Sequence, residues 1–227
     1  MTETASVMDE RKITARVSTI EDYRWWQCSG LDWDWFINKD RSENARMMAG
    51  TALHDALEHA TAGDTEELRS GDFIFVFKCD ALIAMPKIRE LRLSMQYGDL
   101  TVTGKCDSLS GKHITDYKLI LDHQIEGEQY MDSYQWRFYL DMFRADVFDY
   151  LVFEGHEEPG EGDRIITIRD IHKITQFRYP DLHRDCANLA AEFLSAVEQQ
   201  PDLRKIVTDG LEDILAKDHQ VERVNSR

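Results

Sequence analysis

The chain is poor in the residues that break or staple structure. Of 227 residues only 4 are proline and 12 glycine, which excludes collagen-like and low-complexity chains. Cysteine is as scarce: Cys28, Cys79, Cys106 and Cys186, no two at CxxC spacing. That argues against a zinc knuckle and against a disulfide framework. No apolar run approaches the roughly 18 residues a bilayer-spanning helix needs, and Met1 to Arg16 lacks the apolar stretch of a secretory signal. The expectation is a cytoplasmic protein without a membrane partner. The last shortage is positive charge, with 27 Lys and Arg against 43 Asp and Glu, a net charge of −16. Loose, charge-driven binding to nucleic acid is therefore disfavoured. Contact confined to a groove, or a field offset locally by divalent metal, is not. The excess is uneven: Leu121 to Asp163 carries 12 acids and 2 bases, so −10 of the −16 lies there.

What is present suffices for a folded core. Hydrophobic residues make up 42% of the chain, with 5 Trp, 8 Tyr and 10 Phe. The length predicts one domain with elaborations. Residues 1–17 read as a mobile terminus, 18–200 as the domain, and 201–227 as a charged helix and tail. Ser18 with Glu21 fits a capping box that opens a helix ending at Cys28-Ser29-Gly30. A second helix spans roughly Glu43 to Thr61, with Leu53, Ala56, Leu57 and Ala60 as its buried stripe. Gly50, His54 and Glu58 lie four apart on an adjoining face.

A β-rich stretch follows, predicted as Asp72–Ala84, Ile88–Gln96, Leu100–Asp107 and His113–Ile120. Turns fall at Tyr97-Gly98-Asp99 and Ser110-Gly111. One helix is predicted over Gly127–Phe143. Strands follow at Val147–Phe153 and Ile165–Ile171, with Glu154–Gly162 as an acidic loop between them. Pro180 and Asp181 open a helix to about Glu198, and Pro201 precedes the last one. The fold class is α/β, a mixed central sheet flanked by helices. No GxGxxG or GxxxxGK[ST] is present.

The informative segment is Gly104-Lys105-Cys106-Asp107 with Asp116-Tyr117-Lys118. A two-residue turn at Ser110-Gly111 would pair Asp107 with Ile114. Asp107, Asp116 and Lys118 would then share a face, the two carboxylates being diagonal neighbours. A slip of one residue would put the carboxylates on opposite faces. Two carboxylates so placed suit a hard divalent cation, which takes oxygen ligands and substrate phosphate. Lys118 suits the orientation of an attacking water, or the stabilisation of charge on a phosphate.

Asp107 with Asp116-Tyr117-Lys118 resembles the D…(D/E)XK core of the PD-(D/E)XK nuclease superfamily. Three further motifs resemble its RecB-like and phage-exonuclease branch: Gly50…His54…Glu58 on a helix, Gly104…Asp107 on a strand, and Gln135…Tyr139 on the helix after the hairpin. They occur in the family's order over about Ser18 to Tyr139. The resemblance implies a restriction-endonuclease-like core with His54, Asp107, Asp116 and the Tyr117 carbonyl as ligands of Mg²⁺ or Mn²⁺. It implies Lys118 as catalytic lysine, Glu58 as a further acidic group of the site, and Gln135 and Tyr139 facing DNA or supporting the site.

The implied activity is a deoxyribonuclease, more an exonuclease than a site-specific endonuclease, in recombination, repair or phage DNA processing. Its partners would be DNA and a single-strand annealing protein or helicase, in a bacterial or phage-infected cell; a homo-oligomer stays open. Two departures stand out. Cys106 occupies the position of the superfamily's Pro. Only Cys186 lies in the C-terminal half, so the iron–sulfur cluster of some relatives is not expected. The alternatives are an inactive interaction module of the same fold, which the acidity favours, and an RNA-directed nuclease. Trp25, Trp26, Trp33 and Trp35 read as core or lid before base-stacking platforms.

Overall fold

Eight strands form one mixed sheet, and helices pack on both of its faces. The computed structural model describes residues 13–61, 66–79, 88–122, 127–160 and 162–211. In chain order the elements are β1 (Ile13–Arg16), α1 (Val17–Ser29), α2 (Trp33–Asn38), α3 (Ala45–His59), β2 (Glu67–Ser70), β3 (Phe73–Phe77), β4 (Ile88–Tyr97) and β5 (Leu100–Ser110). After them come β6 (His113–Leu121), α4 (Gly127–Asp132), α5 (Gln135–Met142), β7 (Val147–Glu157), β8 (Arg164–Phe177) and α6 (Leu182–Gln199). Residues 201–211 are helical as well. No helix among the described residues is long and apolar enough to cross a membrane.

The strand order is β1-β5-β6-β7-β8-β3-β2, with β4 also paired to β5. β5 is the hub. Along one edge it meets β4, from Tyr97 opposite Leu100 to Ile88 opposite Leu109. Its other edge is shared: β1 runs parallel to Leu100–Thr103, and β6 pairs antiparallel only with Ser108–Ser110. Between those two contacts Gly104 to Asp107 have no ladder partner on that edge.

Two cores follow from the two faces. On one, Ile20 and Tyr23 of α1, Phe138 and Leu140 of α5, and Phe193 and Val197 of α6 cover Val102, Phe148 and Tyr150 of the sheet. On the other, α3 lays Leu53, Ala56 and Leu57 over Phe75, Phe153, Ile166 and Ile168. The predicted stripe of α3, Ala60 included, is buried throughout.

Several expectations are corrected. Residues 13–16 belong to the sheet rather than to a mobile terminus, because they complete the edge of β5. The Ser18–Glu21 capping box does not form: α1 begins at Val17 without a side-chain cap, and Glu21 instead accepts the Tyr134 N–H at 2.7 Å. The helix expected over Gly127–Phe143 is two helices, broken at Ser133, whose hydroxyl accepts the Gln135 N–H at 3.0 Å. The expected acidic loop begins as strand. Glu154 to Glu157 extend β7, and Arg164 of β8 holds Glu157 through two bonds of 2.6 and 2.8 Å. Short α2 and β2 had no expected counterpart. Calls on 1–12, 80–84 and 212–227 lie outside the described residues.

Candidate active site

The site begins where β5 and β6 part. Their hairpin turns at Gly111-Lys112, one residue later than expected: Ser110 pairs with His113, Leu109 with Ile114 and Ser108 with Thr115. Gly111 has φ +61 and is the first central residue, the position a type II′ turn gives to glycine. Extending that register one step sets Asp107 directly opposite Asp116, not diagonal to it. The ladder does not take that step. Instead Asp107 Oδ2 accepts the Tyr117 N–H at 2.6 Å, so a carboxylate stands where a strand carbonyl would. Since a residue's N–H and C=O point to the same side of a strand, the Tyr117 carbonyl is aimed toward the same gap.

Alternation on β5 also breaks here. Cys106 and Leu109, three apart, both pack into the α5–α6 core, which a regular period of two forbids. Asp107 lies inside that break, so the expected common face of Asp107 and Asp116 is not what joins them. The parting of the strands does.

Packing explains the gap. A Cβ on Gly104 would lie 2.5 Å from Tyr139 Cε1 and 3.1 Å from Val17 Cγ2, so only glycine admits the ring. The Tyr139 hydroxyl donates to the Lys105 carbonyl at 3.0 Å. Tyr139 is thus buried beneath β5 and supports it, and the DNA-facing alternative does not hold for it. Gln135, one turn earlier on α5 and half-buried, donates to Asp116 Oδ1 at 3.0 Å.

Asp116 is 2% exposed. Its Oδ2 lies 2.6 Å from Lys118 Nζ as an ion pair, yet no directed hydrogen bond satisfies that buried oxygen. Burial raises the Asp116 carboxyl above the ordinary range, Lys118 pulls it down in part, and Asp107 raises it again. Burial alone would lower the Lys118 ammonium, but Asp116 and Asp107 outweigh it and hold the group above its usual value. The Lys118 side chain remains 33% exposed, so its charge can reach a ligand.

His54 comes from the opposite face, beside the buried stripe of α3. Its Nδ1 lies 3.2 Å from Asp107 Oδ1, and its ring stands edge-on to Tyr117, centroids 6.1 Å apart. Burial lowers its pKa and the Asp107 hydrogen bond and charge raise it, with a net rise. α3 is fixed at both ends. The Asn44 side chain accepts the Arg46 and Met47 N–H groups, each at 3.0 Å. The Arg89 guanidinium of β4 donates to the final carbonyls, Leu57 at 3.1 Å, Ala60 at 2.9 Å, and Glu58.

That clamp carries in a residue the sequence reading missed. Glu90 follows Arg89 and stands opposite Asp107, between the Arg89–Ser108 and Leu91–Cys106 pairs. Ligand atoms of His54, Glu90 and Asp107 lie within 4.8 Å of one another. The signal was available: Glu90 and Asp107 are equally far from the Gly98-Asp99 turn. Glu58 is not brought into this group. It lies on the exposed side of α3 with Asp55 and His59. The tryptophans divide: Trp26 and Trp33 pack on the core, whereas Trp25 and Trp35 are 50% and 40% exposed, their rings 5.8 Å apart. Cys106 and Cys186 are buried and Cys28 exposed, all as free thiols.

Two carboxylates, an imidazole and a strand carbonyl form a donor set suited to Mg²⁺ or Mn²⁺. At this site the ligand atoms close enough to share one ion are those of His54, Glu90 and Asp107; Asp116 is not among them, and its Oδ2 is held by Lys118.

No family model and no curated protein matches the chain. Among solved structures, the crystal structure of SSO0001 is similar over 82% of this chain and 77% of its own, at 15% identity and a TM-score of 0.47. A likeness that distant assigns no activity.

Proposed function

We propose that the chain is a metal-dependent nuclease with a restriction-endonuclease-like core, hydrolysing phosphodiester bonds of DNA. The observation that carries this reading is the buried Asp116, ion-paired to Lys118 and facing the parted end of β5 beside Asp107. Asp107, Asp116, His54 and the Tyr117 carbonyl would hold Mg²⁺ or Mn²⁺, which supplies Lewis-acid polarisation of the phosphoryl group and a more acidic water.

The chain's own residues do the rest. Gln135 fixes the rotamer of Asp116 through Oδ1 and leaves Oδ2 free of the amide. Tyr139 and Gly104 hold β5 away from β6. Lys118, tethered by Asp116 and 5.9 Å from the Tyr150 ring, presents its ammonium where it can orient water or stabilise negative charge on a phosphate oxygen. A net charge of −16 repels a polyanion at long range, so binding depends on this local cationic set. Arg24 of α1 and Arg137 of α5 lie 4.9 and 4.6 Å from the ring of Tyr134, which precedes Gln135, and suit backbone contacts. A role in recombination, repair or phage DNA processing, and an annealing protein or helicase as partner, rest on the sequence resemblance alone.

The test is digestion of end-labelled single- and double-stranded DNA, and of matched RNA, with Mg²⁺, Mn²⁺ or EDTA, beside Lys118→Ala. Metal-dependent loss of label from DNA that disappears in the variant supports the reading, and 5′ against 3′ labels give the polarity. Preference for RNA would reassign the substrate. A folded protein inert under every condition would favour a non-catalytic interaction module.

A further inference from the structure

We infer that Glu90 is a ligand of this centre, binding a divalent cation together with His54 and Asp107. The inference rests on the metal-dependent reading above and adds a residue to it. Three observations converge on Glu90. Its carboxylate, the His54 ring nitrogen and the Asp107 carboxylate are within 4.8 Å of one another, a spacing one cation can bridge. Its backbone has φ +53 at the third position of a ten-residue strand, a conformation non-glycine residues seldom adopt and strands rarely hold. Strain of this kind persists where the surroundings impose it, and it is concentrated at functional sites.

The third observation is charge. Glu90 and Asp107 face each other across the β4–β5 ladder, and like charges placed directly opposite are unfavourable unless a cation sits between them. The Lys105 ammonium meets Glu90 on its exposed side, which neutralises one carboxylate and leaves the side facing His54 and Asp107 to another cation. Asp116, whose Oδ2 is ion-paired to Lys118, lies near this cluster, and its charge like that of Asp107 acts on His54. The Arg89 clamp on the end of α3 holds His54 and Glu90 in fixed relation, so the site is pre-formed rather than assembled by the ion.

Mn²⁺ titration of the metal-free full chain by calorimetry tests this, with Glu90→Gln, Glu58→Gln and Asp116→Asn alongside. Glu58→Gln removes the same charge from an exposed neighbour, so it controls for long-range electrostatics. The expected result is at least a tenfold loss of affinity, or loss of a binding event, in Glu90→Gln and little change in Glu58→Gln. Glu90→Gly gives an independent arm: in EDTA its melting temperature should rise, as the φ +53 strain is relieved, while the rise induced by Mn²⁺ should shrink. If Mn²⁺ binds in an Asp116-dependent manner but equally well to wild type and Glu90→Gln, the role of Glu90 is overturned and the metal centre stands. If wild type binds no Mn²⁺, the metal-dependent reading itself fails, and this inference with it.

Discussion

Among the described residues, the buried charged side chains are four aspartates, and they divide into two regions with opposite solutions to the same problem. Asp141 accepts from the Tyr97 hydroxyl at 2.8 Å and from Arg178 at 2.9 Å, and its Oδ2 lies 2.7 Å from His183 Nδ1. Asp149 accepts from Thr175 at 2.6 Å and lies 2.7 Å from Lys173 and 2.6 Å from His113. Each has both oxygens engaged, with one permanent cation among the partners, Arg178 for Asp141 and Lys173 for Asp149. Asp107 and Asp116 instead share a gap in the sheet with one lysine and one histidine: Asp116 has Gln135 on one oxygen and Lys118 on the other, and Asp107 has His54 and the Tyr117 N–H. The protonation tendencies follow. Burial pushes Asp149 up, but Lys173, Thr175 and His113 outweigh it and leave it below the ordinary range. Burial of Asp116 prevails over Lys118 and leaves it raised. Burial of a carboxylate therefore does not mark a functional site. A set of partners that leaves its pKa raised does.

The comparison breaks most sharply if activity does not track it. Lys118→Ala is expected to lower cleavage by about 100-fold to 1000-fold or more, the scale of a lost transition-state contact. Asp116→Asn should do the same while leaving thermal stability in EDTA equal or higher, because it removes a buried charge that Lys118 only partly offsets. The opposite pattern is expected of Asp141→Ala. Removing one member of a buried ionic cluster typically costs 3–5 kcal/mol; Arg178 and His183 are partly exposed, which reduces this to about 2–3 kcal/mol. Urea titration of the two variants side by side measures the contrast. Equal losses of stability would show that the gap is as structural as the Asp141 cluster.

Next in size is the packing that keeps the gap open. Gly104→Ala places a methyl 2.5 Å from the Tyr139 ring. Either the ring or β5 must move, at about 1–3 kcal/mol for an overpacked core. Because β5 carries Asp107, cleavage should fall further than stability alone explains. A variant with wild-type turnover would mean that the gap tolerates a shift of β5.

Much of this architecture was legible in the chain. The α3 stripe needed only its spacing, and the run from Gly104 through Lys118 marked both carboxylates. The hairpin turn was misplaced by one residue, which shifts the pairing by two, because Ser110-Gly111 and Gly111-Lys112 are equally good turns on composition. Only the φ of Gly111 separates them. Parity survived, since moving a two-residue turn by one position keeps both aspartates in phase. What alternation could not reveal was the break at Asp107, where a side chain replaces a ladder bond. Glu90 could have been placed opposite Asp107 by counting from the Gly98-Asp99 turn; its positive φ leaves no trace in composition. Glu58 attracted attention by its four-residue spacing from His54, yet spacing along a helix does not say how far the neighbouring strand extends.

The smallest expected effect separates the two regions by what they respond to. The depressed pKa of Asp149 means that its contacts with Lys173, Thr175 and His113 stabilise the fold above its ordinary value near 3.8, and that this contribution is lost as pH falls through the still lower folded value. Asp149→Asn cannot titrate but keeps an acceptor for Thr175. It should therefore cost about 1 kcal/mol at neutral pH, modest because Lys173 and His113 are partly solvated. The difference from wild type should shrink as pH falls below 3.8 and through that lower folded value, where Asp149 becomes neutral. Addition of Mn²⁺ should leave that difference unchanged, since the Asp149 cluster already has its cations. Thermal melts of Asp149→Asn across pH 2.5–7, with and without Mn²⁺, measure this directly. A Mn²⁺-dependent difference would mean that the two regions are coupled through β6 and β7, and that the division between the two pairs of aspartates is too simple.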